Sequence, residues 1–287
     1  MSSESAIPLV NLPRSKLGEG PIWDYRRGVL YWVDINGDGI HMYRPKDGYV
    51  KSIKLGPMPS CIALNNDGNL VVTIKNKVIL VNPDDGSILR TLTTVDEGVD
   101  HRFNDCRCDP LGRLVAGTMS IPRKPNASLY ILDQDLNIKR LLSGVTVSNG
   151  LTWSLDGSIM YYIDSPTRRV AVYNYDVKHG ELSGLRDVID LSSLQGNPDG
   201  MTIDSEGYLW IALWGGGRVI RVNPFNKAIT DSIIVNARYT SSCTFGGGDL
   251  TTLFISTAMG EPPLEYEGYL FTTNTNVKGV RQYMCKY

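Results

Sequence analysis

Histidine and cysteine are scarce in this chain, at three and five of 287 residues. His41, His101 and His179 share no spacing that would let two of them grip one ion, so a histidine-based centre is not expected. The cysteines (Cys61, Cys106, Cys108, Cys243 and Cys285) are odd in number and contain no C-x-x-C pair. That pattern argues against a zinc ribbon or a thiol redox motif and leads to the expectation of reduced thiols in a cytoplasmic protein. Neither sign of charge prevails: 29 basic and 30 acidic residues leave a net charge of −1. Nucleic acid and membrane surfaces therefore have no electrostatic hold and are not expected partners. Apolar runs of about 18 residues are missing, so no membrane-spanning helix is expected. The polar start, Met1-Ser-Ser-Glu-Ser-Ala-Ile-Pro8, lacks the basic-then-apolar layout of a secretory signal. No helical stripe of 3.6-residue period runs beyond two turns, and helix content should be very low.

What the chain has instead is a beat. Six times an Asp/Gly turn signal precedes a short alternating apolar run: Asp24 to Gly28, Asp67-Gly68, Asp109 to Gly112, Asp156-Gly157, Asp204 to Gly207 and Gly248-Asp249. The steps between the aspartates are 42 to 48 residues. A repeat of about 40–50 residues built from strands and tight turns predicts a β-propeller. The expected fold is all-β: a single six-bladed propeller over residues 1–287, with four antiparallel strands per blade and a central channel. In one unit the strands read Cys61–Leu64, Leu70–Ile74, Val78–Val81 and Ile88–Leu92, separated by Asn, Asp, Gly and Pro clusters. Ile7 to Asn11 is expected to pair near Tyr269–Thr272 and so join the first and last blades. A closed ring has few free strand edges and can stand as a monomer or a small homo-oligomer.

A propeller lines its channel with the first strand of every blade, so one phase of the repeat gathers on one face. The position about five residues before each turn aspartate gives Glu19, Ile62, Asn104, Asn149, Asp199 and Thr244, with Asn149 set seven residues ahead of its own. Glu19-Gly-Pro, Asn149-Gly-Leu and Asp199-Gly-Met each put an oxygen-bearing side chain before glycine, which permits close approach of backbones or a positive φ. Two carboxylates with amide oxygens suit a hard divalent cation. Calcium, magnesium and manganese fit the ligand type, and zinc also accepts carboxylates. The clusters Gly215-Gly-Gly217 and Gly246-Gly-Gly248 carry no such promise. A phosphate loop opens a helix, whereas Arg218–Val222 reads as a strand, so they are turns or bulges.

These residues also carry a resemblance spread over almost the full chain. The segments Leu17-Gly-Glu-Gly-Pro-Ile-Trp23, Arg102-Phe-Asn-Asp105, Ala116-Gly-Thr-Met119, Val147-Ser-Asn-Gly-Leu151, Tyr161-Tyr-Ile-Asp-Ser165, Pro198-Asp-Gly-Met201 and Thr240-Ser-Ser-Cys-Thr-Phe-Gly-Gly247 are similar to those of the regucalcin (senescence marker protein), gluconolactonase and luciferin-regenerating-enzyme family. The resemblance implies that Glu19, Asn149 and Asp199 bind one divalent cation at the channel mouth, and that Arg102 and Asn104 contact the substrate. It also marks a departure. Animal regucalcins carry an acidic residue shortly after Gly-Thr-Met, where this chain continues Ser120-Ile-Pro-Arg123 with a shorter segment to Ser128, so a different lid is expected.

The activity so implied is metal-dependent hydrolysis of sugar-acid lactones, with the cation polarising the carbonyl and activating water, and Asp199 as general base. Two alternatives stand beside it: a metal-dependent phosphotriesterase-type hydrolase, and a non-catalytic calcium-binding regulatory propeller.

Overall fold

The repeat turns are built by their aspartates. In the computed structural model, which describes residues 4–287, each turn carboxylate accepts the backbone N–H two residues on. Asp24 takes Arg26, Asp67 takes Asn69, Asp109 takes Leu111, Asp156 takes Ser158, Asp204 takes Glu206 and Asp249 takes Thr251, at 2.9–3.3 Å. This local bond makes Asx residues turn formers and accounts for the beat. Two of the aspartates reach further. Buried Asp109 and Asp204 also bind the guanidinium of Arg113 (2.6 Å) and Arg221 (2.7 Å), pinning neighbouring strands to the turn.

Between turns the chain folds into antiparallel meanders. Four separate four-stranded sheets form, one of them Gly18–Asp24, Val29–Asp34, Gly39–Arg44 and Tyr49–Lys54. A nine-stranded sheet joins two further groups, Asn197–Ile203 to Ile229–Ile234 and Tyr239–Gly246 to Phe271–Asn274, through the single pair Trp214↔Tyr239. The only helical element among the described residues is the 3-10 turn Ser165–Thr167. The second strands are apolar on both faces. Every residue of Val29–Asp34 and Leu114–Ser120 is buried, because each sheet is sandwiched between its neighbours. Each buried large side chain there, such as Leu30, Leu114 or Ile211, stabilises the stack by about 1.5–3 kcal/mol.

The N-terminal segment closes the ring as expected. Ile7 and Pro8 pair antiparallel with Thr272 and Phe271. Glu4–Ser5 adds a parallel strand beside Ile233 and Ile234 of the preceding group. The polar start at Met1–Ser3 lies outside the described residues. Arg14 continues the closure, donating to the carbonyls of Glu267 (Nε, 2.6 Å) and Leu264 (Nη2, 2.6 Å). Burial alone would raise the Glu267 carboxyl. The Arg238 guanidinium and the N–H groups of Leu264, Gly260 and Arg238 outweigh it and hold the group at about 2. A carboxyl depressed on folding stabilises above its unfolded value of about 4.5 and loses that contribution as pH falls toward 2. Wild-type stability should therefore drop across that window in a calorimetric pH series. Glu267→Ala should cost about 3 kcal/mol at pH 7 and flatten the drop.

The cysteines correct the expectation of reduced thiols. Cys61 is bonded to Cys106 and Cys108 to Cys285, while Cys243 is free and buried. The first bond joins the innermost strands of adjacent sheets, Pro59–Leu64 and His101–Cys108. The second ties the latter strand to the C-terminal tail. That tail crosses the channel end opposite the site, with Gly279 bridged to Asp204, Cys285 bridged to Asn65, and the Tyr287 hydroxyl on the Leu132 carbonyl (2.8 Å).

Candidate functional site

All six innermost strands carry a one-residue bulge at the same height. The register slips between Glu19 and Ile22, Pro59 and Cys61, Phe103 and Cys106, Ser148 and Leu151, Pro198 and Met201, and Thr240 and Ser242. A bulge re-aims side chains and breaks the pleat locally, which is why bulges gather beside functional sites. Here the bulged residues include Asn104 and Asp105, Asn149, and Asp199, with Glu19 at the edge of its own. Counting back from the turns misplaces two positions. Ile62 sits past the bulge and packs in the apolar core, and Thr244 is likewise buried beyond it. The bulge positions in those strands are Ser60 and Ser241, so the phase is right for four of six strands.

The glycines that follow the oxygen-bearing residues act in the two expected ways. Gly20 has φ +51°, in the left-handed region. At Gly150 a Cβ would lie 2.6 Å from the Asp199 carbonyl oxygen, so only glycine lets the Asn149 and Asp199 strands come this close.

Glu19, Arg102, Asn104 and Asn149 line one cavity of about 360 Å³ at the channel mouth, walled also by Leu17, Ile35, Met119 and Trp214. Asp199 is buried, and its Oδ1 has no hydrogen-bond partner. Desolvation pushes the Asp199 carboxyl well up, and the charges of Glu19 and then Asp105 push it further. Glu19 rises to about 8, chiefly by desolvation and then by the repulsive charge of Asp105. Arg102 is lowered to about 10 by desolvation, against the pull of Glu19 and Asp199. Three carboxyls thus repel one another beside this cavity. Arg102 offsets two of them, while the third, Asp105, faces Arg107 deeper in the channel. An excess of enclosed negative charge with an orphaned oxygen is the electrostatic form of a cation site. Among the described residues, no group of three or more His, Cys, Asp and Glu could hold a metal. A cation held here would need an amide oxygen beside the carboxylates, and Asn149 presents one at the same cavity. The residues present therefore fit a hard divalent cation.

Asn104 connects the predicted residues. Its Nδ2 donates to Asn149 Oδ1 (2.8 Å) and to the Ser148 carbonyl (2.7 Å), and its Oδ1 accepts from Arg102 Nη1 (2.7 Å). Reading the sequence overlooked a supporting layer. Asp34 accepts the N–H groups of Lys16 and Leu17 (2.9 and 3.0 Å), two residues before Glu19. Asp164 accepts those of Thr146 and Val147 (3.0 and 2.8 Å), two residues before Asn149. Each aspartate ends the second strand of its sheet, and that shared place was a readable signal. The Ser120–Ser128 segment does form part of the rim. It brings Arg123 to the cavity at φ +56°, and the charge of Arg123 reaches Asp199. His101 stays outside, its Nε2 3.2 Å from Asn126 Oδ1.

Known proteins resemble this chain over nearly its whole length. The SMP-30/Gluconolactonase/LRE-like region matches residues 17–259. The chain is 42% identical over 257 residues to YvrE of Bacillus subtilis (strain 168), named as a provisional sugar lactone lactonase, covering 89% of this chain and 88% of that one. It is 38% identical over 250 residues to regucalcin of Xenopus laevis, covering 85% and 83%. A luciferin-regenerating enzyme superposes with a TM-score of 0.92 at 29% identity, covering 99% of this chain and 100% of its own.

Proposed function

Since the chain belongs to the SMP-30/Gluconolactonase/LRE-like family, we propose that it hydrolyses sugar-acid lactones with the help of one divalent cation, on a single six-bladed propeller over residues 1–287. The observation that carries this reading is the orphaned Oδ1 of buried Asp199 beside the equally crowded Glu19. Glu19, Asn149 and Asp199 would hold the cation, which supplies Lewis acidity toward a lactone carbonyl and toward water. The remaining chemistry falls to the chain itself. Arg102, with donors left over from its bonds to Phe103 O and Asn104 Oδ1, binds ring hydroxyls or the oxygen on which charge develops. Asn104 holds Arg102 and Asn149 at a fixed spacing, so the substrate docks against a rigid edge. Asp199 accepts the proton from the attacking water at the carboxylate oxygen that cation binding leaves free. The apolar wall of Leu17, Ile35, Met119 and Trp214 suits the carbon face of a sugar ring and keeps bulk water out.

The test is acid release from a panel of aldonolactones, followed by pH indicator, with protein stripped by chelator and then resupplied with Ca²⁺, Mg²⁺, Mn²⁺ or Zn²⁺. Ring opening above the spontaneous rate that disappears on stripping and returns with one of these ions is the expected result. Full turnover by stripped protein would refute the metal role. Silence on every lactone with turnover of a phosphotriester would refute the substrate class.

A further inference from the structure

The Asn149 side chain has two chemically different ends, and only its oxygen can serve a cation. Which end faces the cavity is decided by the hydrogen bonds around it. Ser165, from the Ile-Asp-Ser stretch that opens the 3-10 turn, lies 2.7 Å from Asn149 Nδ2 and 2.6 Å from the Pro198 carbonyl. A carbonyl only accepts, so the Ser165 hydroxyl proton is committed to Pro198. The Ser165 oxygen then offers lone pairs alone, and the atom of Asn149 that meets it must be the NH₂ group. Asn149 Oδ1 is thereby turned the other way, to Asn104 Nδ2 at 2.8 Å, with a second lone pair left over. The far end is fixed too, because the Arg102 guanidinium only donates and Asn104 Oδ1 receives it. Arg102, Asn104, Asn149, Ser165 and the Pro198 carbonyl form one line of donors with a single possible direction.

We propose that Ser165 is a positioning residue. Its hydroxyl, bonded to both Asn149 Nδ2 and the Pro198 carbonyl, orients the Asn149 amide so that Oδ1 is the end available for cation binding. This rests on the reading of Asn149 as a ligand. Ser165 can lose its hydroxyl without losing its place. Its N–H donates to the Val147 carbonyl (3.2 Å), its carbonyl accepts from Arg168 N (3.0 Å), and Pro166 follows it.

The experiment titrates chelator-stripped full-length protein with Mn²⁺ alone by calorimetry and records its melting temperature. Ser165→Ala should weaken Mn²⁺ binding about 10–100-fold, the usual effect of removing a partner behind a ligand, while the metal-free melting temperature stays within about 2 °C. Ser165→Thr, which keeps the hydroxyl, should bind within about threefold of wild type. The variant Asn149→Asp has two equivalent oxygens and no end to choose, so adding Ser165→Ala to it should change affinity less than about threefold. Wild-type affinity in Ser165→Ala, or an equal loss in the Asn149→Asp background, overturns the positioning role. If wild type itself takes up no Mn²⁺, Ca²⁺ or Zn²⁺, the cation-site reading fails instead, and the role assigned to Ser165 falls with it.

Discussion

Asp199→Asn and Glu19→Gln are each expected to lower kcat/KM for a lactone by about 10³-fold or more, and at the same time to make the stripped protein more stable. The two effects have one origin. In the metal-free state Glu19 and Asp199 are enclosed, repel each other and both feel Asp105. Folding without the cation therefore works against this repulsion, and an amide of the same shape relieves it by about 1–3 kcal/mol. For a chain of this size that is a rise of about 2–5 °C in melting temperature. Adding the cation should reverse the order, since only wild type gains from binding. Differential scanning calorimetry with and without cation, run beside the activity assay, checks both halves. Either variant keeping full activity would remove its residue from the site. A fall in metal-free stability would mean that the carboxylates support the fold.

The largest stability effect is expected from the disulfides. They close loops of 45 and 177 residues, for which chain-entropy estimates give about 4 and 5 kcal/mol, with measured cases more often about 2–4. Cys61→Ser/Cys106→Ser and Cys108→Ser/Cys285→Ser should each lower the melting temperature by about 3–8 °C. The combined change should fall short of the sum, because both bonds anchor the same strand, His101–Cys108. The site should feel the two bonds unequally. Cys106 lies two residues beyond Asn104, and Cys61 follows the bulge residue Ser60, so losing that bond should raise KM. Losing Cys108–Cys285 should release the tail and leave KM unchanged. Equal melting curves with and without reductant would show that neither bond supports the fold.

The sequence made the architecture legible because the turn aspartates do a local job, two residues long, that any single chain displays. The pairing of Ile7 with Thr272 was legible for a similar reason, as a ring needs its ends joined. Ile62 and Thr244 were misplaced because the count ran from the turn, whereas the channel phase is set at the bulge, and different numbers of residues separate the two. The disulfide between Cys61 and Cys106 left a trace that spacing rules for compact motifs do not read: 45 residues is one repeat, which places the pair at equal heights in adjacent sheets. Cys285 gave no such sign, since its partner depends on where the tail runs. Ser165, Asp34 and Asp164 were overlooked for another reason. Asp34 and Asp164 act on backbone N–H groups at the entry of the first strand of their own sheet, and Ser165 on the Asn149 amide and the Pro198 carbonyl, contacts that exist only once the strands have paired.

The tail also decides how the molecule handles traffic. Arg107 reaches across the channel to the Met201 carbonyl (2.9 Å). Beneath it Val280, Arg281, Gln282 and Tyr283 bound a separate cavity of about 100 Å³. Arg107 and the tail thus stand between this cavity and the one that holds Glu19, Arg102, Asn104 and Asn149. On the proposed reading a lactone would enter and its acid would leave at the same rim, the one that carries Arg123, so turnover and product inhibition would be governed at the threshold that selects what is admitted.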